Sequence, residues 1–230
     1  AEAEILLPEQ FPVKEETLMA YEVGFKRSLW DDRVRVNGSA FYYDYDDFQA
    51  FIFEGQANLV TNTDAEIYGA ELEVWGAPWV GLEFQGGLAW LEAEAFDVDF
   101  PAFSGALDRQ IPKTPKWSVN GLVRYEFPTV FANTGFGGNF AIQTDFNYRS
   151  KFNFLISEAP SGRQPGYTVV NARISYTDMD ERWELAANVH NIADQFYATQ
   201  IFDVATDFNS RQTFVDAPRW FSLSLRYNFQ

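Results

Sequence analysis

The sequence predicts an all-β chain, an antiparallel transmembrane β-barrel segment of about nine long strands. Three observations lead there. Aromatic residues make up 18% of the chain, with 23 Phe, 11 Tyr and 7 Trp, yet the mean hydropathy is only -0.26. A barrel wall reconciles the two, because every second residue faces lipid while its neighbours face a polar interior. No uninterrupted apolar run approaches the roughly 18 residues of a spanning helix; pieces such as Leu88 to Leu91 are the longest. Finally, alternation of period two recurs in segments long enough to cross a bilayer as tilted strands, for which about 9 to 11 residues suffice.

In chain order, the first strand is expected over 17–29 and the second over 33–52, where Phe41-Tyr42-Tyr43 interrupts the alternation. The third and fourth fall over 64–76 and 80–94. In the fifth, 117–127, Trp117, Val119, Gly121, Val123, Tyr125 and Phe127 oppose Ser118, Asn120, Arg124 and Glu126, with Leu122 the exception. The sixth, 140–149, sets Phe140, Ile142, Thr144, Phe146 and Tyr148 against Gln143, Asp145, Asn147 and Arg149. Charges at every other position are costly against hydrocarbon, so that side must line an interior. The seventh and eighth span 167–177 and 183–192. The ninth, 218–229, is the most legible: Phe221, Leu223, Leu225, Tyr227 and Phe229 share one side, Ser222, Ser224, Arg226 and Asn228 the other.

The connections fall into two alternating classes. Those near 30–33, 76–80, 128–138 and 177–182 are shorter and carry the Gly, Pro, Asn or Asp that turns require. Those near 53–63, 95–116, 150–166 and 193–217 are mostly longer. Bacterial outer-membrane barrels have this asymmetry, short turns in the periplasm and long loops outside. Trp30, Trp75, Trp79, Phe127, Phe131 and Trp183 sit beside the short turns, with Tyr227 and Phe229 at the terminus, as an interfacial girdle would. Nine strands leave two unpaired edges, and unsatisfied backbone groups cost several kcal/mol each in a bilayer. Further strands are therefore expected before residue 1, with residues 1–230 the C-terminal portion of a larger barrel.

The net charge of -16 opposes affinity for nucleic acid phosphates. The absence of Cys excludes disulfides and thiolate metal sites. Residues 1–16 (AEAEILLPEQFPVKEE) have neither the basic start nor the apolar stretch of a signal peptide, so the chain reads as mature or as a fragment. His190 is the single histidine, sharing a side with Glu184 and Asn188, and no Gly-x-Ser-x-Gly nucleophile motif occurs. No enzyme, cofactor or dedicated metal site is expected.

Several stretches, taken in order, resemble the last strands of TonB-dependent outer-membrane receptors. They are ETLMAYEVGFKRSLWDDRVRVNGSAFYYDYDDFQ (16–49), AEIYGAELEV (65–74), PKTPKWSVNGLVRYEF (112–127), DFNYRSKF (145–152), YTVVNARISY (167–176), WELAANVHNIADQFY (183–197) and APRWFSLSLRYNF (217–229). Two departures are noted: His190 replaces a usual basic residue, and Gln230 follows Phe229 where the family ends on an aromatic. The resemblance implies a barrel of about 22 strands around an N-terminal plug, both plug and earlier strands lying outside these residues. It also implies the bacterial outer membrane as location. Ligand caught at the extracellular loops would pass the plug when the TonB complex, reached through the N-terminal part, pulls on it.

Ligand contacts concentrate on loops held by a rigid scaffold. Aromatic faces can hold sugars or catecholate rings, and Arg can pair with an anionic ferric chelate. The expected contacts are Phe96, Phe100, Phe103 and Arg109 in one long loop and Tyr197, Phe202, Phe208 and Arg211 in another. The expected partners are outer-membrane lipid and lipopolysaccharide, the TonB complex, and a nutrient ligand such as a ferric chelate. The favoured function is import of a scarce nutrient, a ferric siderophore foremost. A passive porin or structural barrel is the alternative, followed by an outer-membrane hydrolase, for which His190 and Asp145 would be the groups to test.

Overall fold

The computed structural model describes residues 13–54, 57–100, 105–130, 137–204 and 210–229. Nine long strands follow one another in a single antiparallel path: β1 (Thr17–Leu29), β2 (Val34–Glu54), β3 (Ala57–Gly76), β4 (Leu82–Val98), β6 (Trp117–Val130), β7 (Gly138–Arg149), β10 (Tyr167–Asp178), β11 (Trp183–His190) and β14 (Trp220–Tyr227). The remaining strands decorate the long connections. β5 (Leu107–Gln110) adds to the upper part of β4, β8 (Phe152–Asn153) pairs with β9 (Arg163–Gln164), and β12 (Ala198–Val204) pairs with β13 (Ser210–Val215). One turn of 3-10 helix, Pro160–Gly162, separates β8 from β9.

Register carries one apolar surface across all nine strands. Val23 stands opposite Ala40, and Ala40 opposite Ala70. Leu72 stands opposite Leu88, and Leu88 opposite Val119. The row continues through Tyr125–Ile142, Ile142–Ile174 and Ile174–Ala187 to Ala187–Leu223. These side chains are bare: Val23 is 73% exposed, Phe221 74% and Leu223 80%. A soluble sheet would bury that surface, whereas a lipid-facing one has no need to.

The reverse surface is polar and cross-linked. Asn37 bonds Glu73 at 3.3 Å, Asn171 bonds Asp145 at 2.7 Å, and Arg124 pairs with Glu126 at 2.9 Å. Arg173 and Arg226 both reach Glu184, and Asn188 bonds Ser222 at 3.1 Å. Charges that would be expensive in hydrocarbon thus stand in a chain of mutual partners on one side.

The nine expected strands are all present, most within a few residues of their expected ends. Three differences have physical causes. The connection expected over 53–63 is mostly ladder, because β2 and β3 stay paired as far as Glu54–Ala57. The interrupted alternation of β2 comes with a bulge: the register shifts between Tyr45 and Phe48, and Asp47 has φ 57°. Two residues opposed to one invert the sides beyond that point. Tyr45 and Phe48, three apart, therefore share one side, with ring centroids 5.7 Å apart. Trp75, expected in the rim girdle, instead lies on the polar side, opposite Arg35 and Gln85. Phe131 lies outside the described residues.

Aromatic rings bound the apolar band at both ends. At the short-turn end Tyr125 and Phe127 meet at 4.7 Å, Phe127 and Phe140 at 6.1 Å, and Trp183 and Tyr227 at 4.4 Å. The tight turn after Trp79 uses Gly81 at φ 82°, where an added Cβ would lie 2.3 Å from the Glu126 carbonyl oxygen. Glycine is required there both by dihedral and by space.

At the long-loop end the polar side is roofed by two small cores. Phe100 and Ile156 pack with Ala50, Ala65, Ala95 and Val98 in one. Phe152, Phe154, Tyr167, Ala198 and Ile201 form the other. Among the described residues β1 and β14 each have a single neighbour, so the sheet is open at both edges. An arginine at Leu223 is expected to cost about 2–4 kcal/mol, whereas one at neighbouring Ser224 should cost little; equilibrium unfolding in phospholipid bilayers checks both.

Candidate ligand-binding site

The loop that leaves β11 is tied by its own first residue. Asn191 is buried, with φ 52°. Its Nδ2 donates to the carbonyls of Gln195 and Ala217, at 2.9 and 3.3 Å, and its Oδ1 accepts from the Gln195 amide at 2.7 Å. Three residues on, Asp194 accepts from the Arg219 amide at 2.8 Å, and Arg219 returns a bond to the Ile192 carbonyl at 3.2 Å. The two ends of this long connection are thereby clamped together, which fixes Tyr197 and Trp220 over the inner side of the wall.

Beneath the clamp lies a hollow of about 590 Å³, at the long-loop end of the polar side. Arg149, Asn171, His190 and Trp220 line it from the wall, and Phe152 and Tyr197 from the loops. Two parallel stacks form much of its lining. Tyr167 and Tyr197 lie 4.3 Å apart at 12°, and His190 and Trp220 lie 3.9 Å apart at 12°. Lys113 stands 5.6 Å above the Phe154 ring and bonds Gln200. Flat aromatic faces beside Lys113 and Arg149 suit a planar, anionic molecule.

Tyr197 donates its hydroxyl proton to the Asp216 carboxylate. Burial first, and that bond second, push the Tyr197 phenol well above its ordinary value. The same bond, followed by the Ala217 amide, holds the Asp216 carboxyl below its ordinary 3.8. A depressed carboxyl stabilises the fold above its unfolded value and loses that contribution as pH falls through the lower folded value. The closure should thus be unchanged between neutral pH and pH near 5.

The residues expected from sequence do not converge on one place. Tyr197 lines the hollow. Phe202 is 47% exposed on β12 and meets Phe214 edge-on at 6.1 Å. Arg211 is exposed on β13, opposite Asp203 in register. Phe96 lines a different concavity on the outward surface of the wall. Phe100, 3% exposed, is packed into a loop core. Arg109 reaches the Ser157 carbonyl at 3.4 Å from its place on β5. Phe103 and Phe208 lie outside the described residues. Sequence reasoning missed Arg149, Tyr167 and Trp220, which sit at strand ends rather than in mid-loop, and Lys113, which sits at the turn between β5 and β6. The signal was available, since Arg149 and Trp220 follow the inward parity of their strands. Among the described residues no group of three or more His, Asp or Glu side chains could hold a metal ion.

A sheet apolar on one surface, polar on the other and rimmed with aromatic rings is the wall of a transmembrane β-barrel. Residues 9–192 match the family model described as TonB dependent receptor-like, beta-barrel, and the chain belongs to that family. Its fold is shared by the ferric yersiniabactin uptake receptor FyuA from Yersinia pestis, at 18% identity and TM-score 0.74, over 94% of this chain and 30% of that one. It is also shared by the ferric-catecholate import receptor Fiu from K12 E. coli, at 18% identity and TM-score 0.70, over 100% and 30%. The copper transporter OprC matches at 16% identity and TM-score 0.68, over 96% and 31%. The chain thus spans about 30% of the length of the first two solved structures.

Replacing Tyr197 with Phe or Asp216 with Asn should remove the bond that closes the β12–β13 hairpin at its base. Faster hydrogen exchange of the Ala198 to Val215 amides is expected in both variants. In the unaltered protein, exchange corrected for its intrinsic pH dependence should hold constant from pH 7 to pH 5.

Proposed function

We propose that the chain is the C-terminal wall of a larger, plugged outer-membrane barrel that imports a scarce nutrient in a TonB-dependent manner, with a ferric siderophore as cargo. The observation that carries this reading is the hollow on the inner side at the long-loop end. Its stacked rings and the cations Lys113 and Arg149 suit the flat ligand rings and negative charge of a ferric chelate. Family membership supports the class of protein. The names of FyuA and Fiu, a ferric yersiniabactin receptor and a ferric-catecholate receptor, support the class of cargo.

In this reading the long connections face the cell exterior and the short turns the periplasm. The open edges at β1 and β14 are closed by strands of the same protein beyond this portion, since unpaired backbone is untenable in lipid. The TonB complex engages the N-terminal part, and lipid with lipopolysaccharide surrounds the wall. Tyr197, Trp220, Arg149 and Lys113 hold the ligand, and Phe202 and Arg211 on the β12–β13 hairpin meet it on entry. The protein acts as a receptor and not as a catalyst. A passive porin would share the wall but would have no plug in its lumen.

Growth tests the function, and binding tests the site. Deleting the gene should impair growth on one ferric chelate as iron source, and deleting the TonB system should reproduce the defect; equal growth on every chelate would refute import. In the full-length protein, Arg149→Ala with Lys113→Ala should weaken binding of that chelate about tenfold or more, the loss of charged hydrogen-bond partners. Quenching of tryptophan fluorescence reads the affinity.

A further inference from the structure

Register joins the nutrient hollow to two recesses lower on the inner side of the wall. Strands that curve into a barrel are staggered, so a row of paired residues climbs as it crosses the sheet. One inward row runs through Arg35, Trp75, Gln85, Leu122, Asp145 and Asn171. Trp75 lies at the short-turn end of β3, and Asn171 in the long-loop half of β10, where it lines the hollow. The row beside it runs through Asn37, Glu73, Gly87, Asn120, Asn147 and Val169. Asn147 and Val169 line the hollow as well. Both rows therefore slope from the hollow down toward the short turns.

At their lower end is a recess of about 480 Å³, lined by Trp75, Arg35, Glu73, Gln85 and Asn120. Gly86 and Gly87 leave its floor clear, since neither puts a side chain there. Trp75 is 44% exposed although it is turned away from lipid. Glu73 is held by Asn37 at 3.3 Å, whereas Arg35 makes no ion pair among the described residues. A further hollow of about 440 Å³ follows at the short-turn end, lined by Arg33, Trp79, Glu83, Arg124 and Glu126. Glu83 and Arg124 are paired across the ladder, two positions along from Gln85 and Leu122 and so on the same inward side.

Each of the three places sets a flat ring beside a cation: Trp220 with Arg149, Trp75 with Arg35, and Trp79 with Arg33 and Arg124. That is one chemistry repeated, fit for flat rings carrying negative charge. The excess of positive charge falls along the slope. In the nutrient hollow Lys113 and Arg149 stand against Asp216 alone, and its carboxylate is taken up by Tyr197. In the middle recess Arg35 is matched by Glu73. At the lower end Arg33 and Arg124 meet Glu83 and Glu126, with Arg124 bound to Glu126 at 2.9 Å. Between them Asn120 and Asn147 offer neutral amides that both donate and accept. A passage conducts when its sites attract a solute enough to admit it and too little to keep it.

We infer that cargo leaving the nutrient hollow crosses the lumen along this sloping groove, with Trp75 and Arg35 as a second, weaker site for its rings and negative charge. The inference rests on the reading that the hollow holds a ferric chelate for import. It assigns passage to the inner surface of β3, β4 and β6. On the other flank, Glu184 draws Arg173 and Arg226 together across β10, β11 and β14, which leaves no free cation there for the cargo to meet.

The test uses cells carrying the full-length protein, with the radioiron complex of catechol, whose rings are flat and negatively charged, as probe. Arg35→Ala with Trp75→Ala should lower the maximal uptake rate about tenfold, while high-affinity binding to energy-depleted cells stays as it was. Arg35→Lys with Trp75→Phe should restore most of the rate. Heat-modifiable gel migration verifies that each variant is folded. Uptake unchanged in the folded alanine pair, or lowered only in step with binding, would overturn the passage. So would passive entry of vancomycin through that variant, the sign that the recess had held the plug and not the cargo. If the unaltered protein neither binds nor imports the probe, the reading of the cargo fails first, and the passage with it.

Discussion

Everything in this wall follows from the need to pair backbone N–H and C=O groups where no water can reach them. In hydrocarbon each orphaned group costs several kcal/mol, which leaves the strand ladder as the only way for these residues to cross. The unbroken antiparallel path from β1 to β14 meets that need for every strand except along its two outer margins. Register is then no longer free. Because side chains alternate, one continuous ladder commits Val23, Leu88, Ile142 and Leu223 to a common surface although they are distant in sequence.

That commitment also determines where recognition can happen. The lipid side must be uniform and unreactive, so chemistry is confined to the polar side and to the ends of the strands. Arg149 and His190 sit where β7 and β11 run out of membrane, and the loops fold back over them on cores built around Phe100 and Ile201. The clamp at Asn191 is of the same kind. A buried amide with all its bonds satisfied by backbone fixes a loop as firmly as a strand partner would. Rigid scaffold and the side chains that line the hollow thus lie close together along the chain.

Much of this was legible in the sequence. The strong two-residue period of 117–127, 140–149 and 218–229 yielded strands, sides and even the inward position of His190, because lipid on one side and polar partners on the other leave no other arrangement. The loops were harder. Phe96 and Phe100, four residues apart, look alike in sequence as exposed aromatics, but one lines a recess on the outside and the other is sealed in a core. Which fate a loop ring meets depends on contacts with Ala50, Ala65 and Ile156, all distant in sequence, and no local period encodes those. The β12–β13 hairpin was likewise hidden: its alternation, with Ile201 buried and Phe202 exposed, is too brief to stand out from a long loop.

The bulge at Asp47 sets a rule for how this surface can vary. Above it, Phe48 and Ala50 point toward the loop core because the bulge takes up the one residue that β2 carries beyond β3 between their matched pairs. Deleting one aspartate there would remove the bulge and not the sides: Tyr45, Phe48 and Ala50 would stand two apart, as in a regular strand, and still face the core. Away from the bulge, where the pairing is regular, descendants of this chain can lengthen or shorten that arm by pairs of residues at little cost. A change by one must be matched by a compensating slip nearby, so natural size variation in this arm should favour even numbers.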